Sequence, residues 1–161
     1  MRKNVERFLE VIMVTTMLAL VLVVVFQIIT NMTNIMENSF SDELAGFLLI
    51  WVAMLGAAYG TAKGSHLAID IMLMKLRDKG ASKPLEIVIE SLVGLFAFFV
   101  MLIGGSMLVY SRFELGVESP SMQLPLGYVY LVIPLAGILI MYFCISNIRL
   151  VIKRDKQICG K

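Results

Sequence analysis

Four long stretches of this chain carry no charged residue, and no other feature restricts its fold as strongly. Val11 to Met36, Leu44 to Ala62, Ser91 to Ser111 and Ser119 to Ile148 lack Asp, Glu, Lys and Arg over 26, 19, 21 and 30 residues. About 20 apolar residues in a helix cross the hydrocarbon of a bilayer, so each stretch can hold one crossing. The chain is 59% hydrophobic, against about 45–50% for a soluble domain. These runs predict an all-α integral membrane protein with four transmembrane helices at about 8–29, 43–62, 86–111 and 124–148. What is left of the 161 residues is too short for a separate soluble domain, so residues 1–161 are read as one bundled membrane domain.

The basic residues set the orientation. Arg2, Lys3 and Arg7 precede span 1; Lys63, Lys75, Arg77, Lys79 and Lys83 lie between spans 2 and 3; Arg149, Lys153, Arg154, Lys156 and Lys161 follow span 4. That puts 13 of the 14 basic residues on one side. The other side has Arg112 alone, among Glu37, Asp42, Glu43, Glu114 and Glu118. The positive-inside rule then predicts that both termini and the 2–3 loop are cytoplasmic. The clusters are short and flank spans, so they mark topology and not a nucleic-acid surface. The first apolar run is far longer than the roughly 7–15 residues of a signal-peptide core, and Gln27 to Asn34 has no small-x-small cleavage pattern, which predicts a retained signal anchor. Cys144 falls in span 4 and Cys159 in the tail. At such different depths no disulfide is expected between them.

Local signals refine this outline. Ser41 is a plausible N-cap for the second helix, with Asp42 and Glu43 in its first turn, where acids suit the helix dipole. Gly56 and Gly60 make a GxxxG step, and Ala53 and Ala57 a parallel small pair, so this face could admit another helix closely. Trp51 sits mid-span rather than in an interfacial belt and suits packing or lipid contact. From Lys63 to Arg77, helical spacing aligns His66, Asp70 and Arg77 in a narrow polar stripe, with Leu67, Ile71, Leu73 and Met74 among the apolar remainder. This predicts an amphipathic interfacial arm helix over about 65–78, lying on the membrane or against another membrane protein. Pro84 suits position N1 of the third helix. Pro134 should kink the fourth. Tyr128 and Tyr130 fit an aromatic belt at the outer interface.

No catalytic constellation is visible. His66 is the single histidine, which excludes metal sites that need two imidazoles, and no Gly-rich phosphate loop is present. Coupled transporters keep ionisable groups deep in the membrane, whereas Glu86, Glu90 and Asp70 all sit near one edge. The residues therefore suggest a scaffold whose chemistry belongs to a partner. Two alternatives are weaker. An autonomous four-helix membrane enzyme would want paired outer cysteines or buried ligands for a thiol peptide. A small multidrug exporter would want an acid midway along a span, and span 1 has none.

Specific residues carry a family resemblance. Asp42-Glu43-Leu44, then Trp51 to Tyr59 with its Leu-Gly-Ala stretch, then Lys63-Gly-Ser-His66-Leu-Ala-Ile-Asp70 resembles the small permease subunit of TRAP transporters, the DctQ-like or SiaQ-like family. Ser119 to Tyr128 followed by Ile133-Pro134 looks like that family's second block. Ala45-Gly46 stands where many members have Ser-Arg, so no role for a basic residue transfers to that position. The resemblance implies a small scaffold subunit in the bacterial inner membrane, serving a sodium-driven importer of organic acids, with a sialic acid expected ahead of a C4-dicarboxylate. It implies a large elevator-type multi-span subunit holding the sodium, a periplasmic substrate-binding protein, surrounding membrane lipid, and no cofactor in this chain. The residues expected at the partner interface are Glu43, Trp51, Gly56, Gly60, His66, Asp70, Leu73, Pro125 and Pro134.

Overall fold

The computed structural model describes residues 2–33, 39–63 and 82–159, with side chains over 4–32, 39–63 and 86–152. Its elements are α1 (Arg2–Thr33), α2 (Ser39–Lys63), α3 (Ser82–Phe96), a π-helix (Ala97–Gly104), α4 (Gly105–Glu114), α5 (Leu126–Tyr130) and α6 (Val132–Cys159). They form four segments long and apolar enough to cross a membrane: Asn4–Met32, Ser39–Lys63, Glu86–Glu114 and Leu126–Ile152. The helices run past the stretches expected from charge alone. A charge-free run marks the part that lies in hydrocarbon, and a helix can continue through the headgroup layer with charged side chains attached. The expected arm at 65–78 lies outside the described residues.

Three local expectations are corrected. Helix α2 begins at Ser39, so Ser41 is inside it and buried rather than capping it. Helix α3 begins at Ser82, which puts Pro84 further into the first turn than N1. Pro134 does not kink the middle of a continuous helix. The fourth span is interrupted at Leu131, and Pro134 stands in the first turn of α6. Proline has no N–H to give the carbonyl four residues back, so a break at this level removes the conflict.

The spans do not close into a bundle. Span 1 packs chiefly on span 2, span 2 on span 4, and span 4 on span 3, which gives a row in the order 1-2-4-3. The expectation of a bundle is corrected to this open row. It follows from where the small residues fall: span 4 receives Ala58 and Ala62 of α2 on one side and Ala97 of the π-helix on the other, around Phe143, Ile140 and Ala136. Cys144 is buried here as a free thiol in the core. On the span 3 side the approach is tight at Gly105, where an added Cβ would lie 2.9 Å from Ile133 Cγ2 and 3.2 Å from the Pro134 ring, and at Gly127, where it would lie 2.6 Å from the Phe113 ring.

Candidate partner interface

At the end that carries the 3–4 loop, the third span closes with Gly116 at φ +57. Gly116 N–H bonds to Phe113 O at 3.2 Å and Val117 N–H to Arg112 O at 3.3 Å, the paired bonds of a Schellman ending. The loop then folds on itself. Ser119 N–H reaches Leu124 O (2.9 Å), Gln123 N–H reaches Ser119 O (2.8 Å) and Leu126 N–H reaches Val117 O (3.0 Å). Gln123 takes a left-handed φ of 51°, which costs a non-glycine residue about 1 kcal/mol.

Glu43 of α2 holds this loop. Its carboxylate accepts hydrogen bonds from the Ser119 hydroxyl and from Ser121 N–H at 3.2 and 3.3 Å. Gln27 of α1 donates to Asp42 beside it. Span 1, span 2 and the 3–4 loop are thus tied together at one end. Glu43 and Pro125, expected at a partner interface, act here within the chain: Glu43 as the acceptor, and Pro125 as the residue that precedes α5, pairs with Glu118 and accepts from Tyr128 N–H at 3.1 Å. Glu43→Ala should speed amide hydrogen exchange at residues 119–124 and leave α6 unchanged. Exchange that is equal in both proteins would show that the carboxylate does not order the loop.

At the other end lies a junction that sequence reasoning missed. Glu90 is 5% exposed and Asn147 9%. Asn147 Nδ2 donates to Glu90 Oε1 at 3.1 Å and to Thr61 O at 3.0 Å, so one amide joins spans 2, 3 and 4. The Cys144 thiol lies beside the same carboxyl group. Among the described residues Glu90 Oε2 has no hydrogen-bond partner. The sequence signal was faint: Thr61, Glu90 and Asn147 are polar residues near the same ends of three spans, and only Glu90 stood out, as an acid near one edge.

Spans 2 and 3 both pack on span 4 and only weakly on each other, which leaves a groove of about 460 Å³ between them. Ile140 of α6 faces it from span 4. Ala53, Ala57 and Gly60 line one side, and Phe96, Ala97 and Met101 the other. A Cβ added at Gly56 or Gly60 would meet nothing within 4 Å. Among the described residues the GxxxG step therefore packs against no other helix of this chain. Trp51 is half-buried against the core cluster. Pro134 is half-buried, with its ring close to Gly105. His66, Asp70 and Leu73 lie outside the described residues.

Among the described residues no group of three His, Cys, Asp or Glu could hold a metal ion. What the geometry offers is apolar helix faces, a lateral groove with a small-residue wall, and a braced 3–4 loop. Comparison with known proteins agrees in kind. Residues 20–154 match the family model of tripartite ATP-independent periplasmic transporters, DctQ component. The chain is 33% identical over 104 residues to the C4-dicarboxylate TRAP transporter small permease protein DctQ of Rhodobacter capsulatus, covering 63% of this chain and 44% of that protein. The match thus spans less than half the length of the Rhodobacter relative. The chain is 30% identical over 137 residues to the sialic acid TRAP transporter small permease protein SiaQ of Vibrio cholerae, covering 82% and 79%.

Proposed function

The chain belongs to the DctQ component family of tripartite ATP-independent periplasmic transporters, and from that premise we propose that it is the fixed scaffold against which a large multi-span permease subunit moves. It is a transporter component and not an enzyme. The large subunit carries the substrate and the sodium and works as an elevator, and this chain widens that subunit's hold on the bilayer. A periplasmic binding protein delivers the substrate to the outer face. Both termini lie on the cytoplasmic side of the inner membrane, a placement supported by the distribution of basic residues. The cargo is an organic acid; one relative is named for sialic acid and another for C4-dicarboxylates. Between these, sialic acid is favoured, because the alignment with that relative covers the larger share of both chains.

The observation that carries this reading is the open row. A chain that buries so little of its apolar surface, with none of the span 1 window buried, has faces to spare for a partner. The face that carries Gly56 and Gly60, with Gly60 lining the groove, is the place to test it, because an added Cβ at either meets nothing within 4 Å among the described residues. Gly60→Trp and Gly56→Glu should each reduce the large subunit recovered with a tagged copy of this chain several-fold, and so should Leu73→Glu in the arm. Cys159→Ser should leave recovery unchanged. Equal recovery for all four would remove both the groove and the arm from the interface.

A further inference from the structure

The end of the fourth span has a feature that neither the core nor the groove uses. Its charge-free stretch stops at Ile148, and Arg149 is the first charged residue after it, with apolar residues on both sides. Ile145, Arg149 and Ile152 follow at i, i+4 and i+7, which puts them on one face of α6. That face is turned out of the protein: Ile145 and Ile152 are each 48% exposed and Arg149 is exposed. Among the described residues Arg149 has no ion-pair partner. Beside it opens a second cavity, of about 380 Å³, lined by Ser146, Arg149, Leu150 and Ile152.

A cation held at this depth has a specific complement. A guanidinium presents a planar fork of donors that matches a phosphate bidentately, and a span end lies level with the phosphates of the headgroup layer. The isoleucines above and below it, with Leu150 at 50% exposure, offer an apolar wall along which an acyl chain can lie. Lys153, Arg154 and Lys156 follow in the next turns of the helix. Basic clusters next to a span attract anionic lipid in preference to zwitterionic lipid. We infer that the C-terminal foot of span 4 binds one anionic phospholipid, its phosphate on Arg149 and its chain against Ile145, Leu150 and Ile152. This site is independent of the scaffold reading, since it needs only that the chain spans a membrane.

The test uses the purified complex in detergent with photoactivatable phosphatidylglycerol or phosphatidylcholine, and labelling of the segment 145–152 read by mass spectrometry. Phosphatidylglycerol should label this segment several-fold more than phosphatidylcholine. Arg149→Gln should remove most of that labelling, while Arg7→Gln, at an exposed arginine on α1, should leave it intact. Unlabelled phosphatidylglycerol should compete, and inorganic phosphate should not. Equal labelling by the two lipids would overturn the site. So would loss of labelling in Arg7→Gln as great as in Arg149→Gln, or competition by inorganic phosphate alone.

Discussion

Asn147→Leu is expected to lower the melting temperature of the purified complex by about 5 °C or more, and adding Glu90→Leu is expected to recover most of that loss. The magnitude follows from which effect dominates. An interhelical hydrogen bond in a membrane protein contributes only about 0.6 kcal/mol on average. Removing the Asn147 amide does more than delete one bond. Oε2 of Glu90 already lacks a partner among the described residues, and Oε1 would lose the donor at 3.1 Å. Leaving a buried polar group without partners costs about 1–3 kcal/mol. Replacing both members by apolar groups removes that cost, so the double variant should be more stable than the single one. Glu90→Gln should be mild, because its amide oxygen can still accept from Asn147. A thermal ramp read by size-exclusion chromatography distinguishes these outcomes. Losses that simply add in the double variant would show that the two side chains are not coupled.

Deleting Phe99 should leave assembly close to normal, whereas deleting Leu92 should abolish it. Ala97, Met101 and Gly105 are all buried and spaced by four. Four residues of α-helix overshoot a full turn by about 40°, so in a regular helix these three would fan across about 80°. The π-helix at Ala97–Gly104 has a wider turn, which brings them back to one line facing span 4. Removing one residue inside it leaves Ala97 and Gly105 seven apart. Seven residues are close to two α-helical turns, so the tight contacts of Gly105 with Ile133 and Pro134 should survive. Removing Leu92 instead rotates Glu90 by about 100° away from Asn147 and keeps the bulge. Recovery of the complex from membranes measures both. Deletion of Phe99 that proves as damaging as deletion of Leu92 would show that the wide turn does not absorb one extra residue.

The spans were legible because charge is so costly in hydrocarbon that its absence marks where the chain crosses. Their order was not. A helix facing lipid on one side and protein on the other is apolar all round, so α1 and α6 look alike in sequence although one has almost no buried face and the other carries the core. The small residues misdirected for the same reason. Gly56 and Gly60 have the spacing of a packing motif but meet no neighbour among the described residues, whereas Gly105 and Gly127, with no such spacing, make close approaches. Glu90 was legible only as an edge acid. Its burial depends on Asn147 and Thr61, which are distant in sequence and join it only because span 4 lies between spans 2 and 3. The acid at 43 stood out in sequence as a candidate for a partner interface, and the structure shows it accepting from Ser119 and Ser121 of the same chain.

The scaffold account is tested most directly by reconstitution. The chain is placed in vesicles alone, and separately with the large permease subunit and the periplasmic binding protein, and uptake of a radiolabelled organic acid is followed under an inward sodium gradient. The account predicts uptake by the full set and none above empty vesicles by this chain alone. Sodium-dependent uptake by the chain without its partners would contradict it.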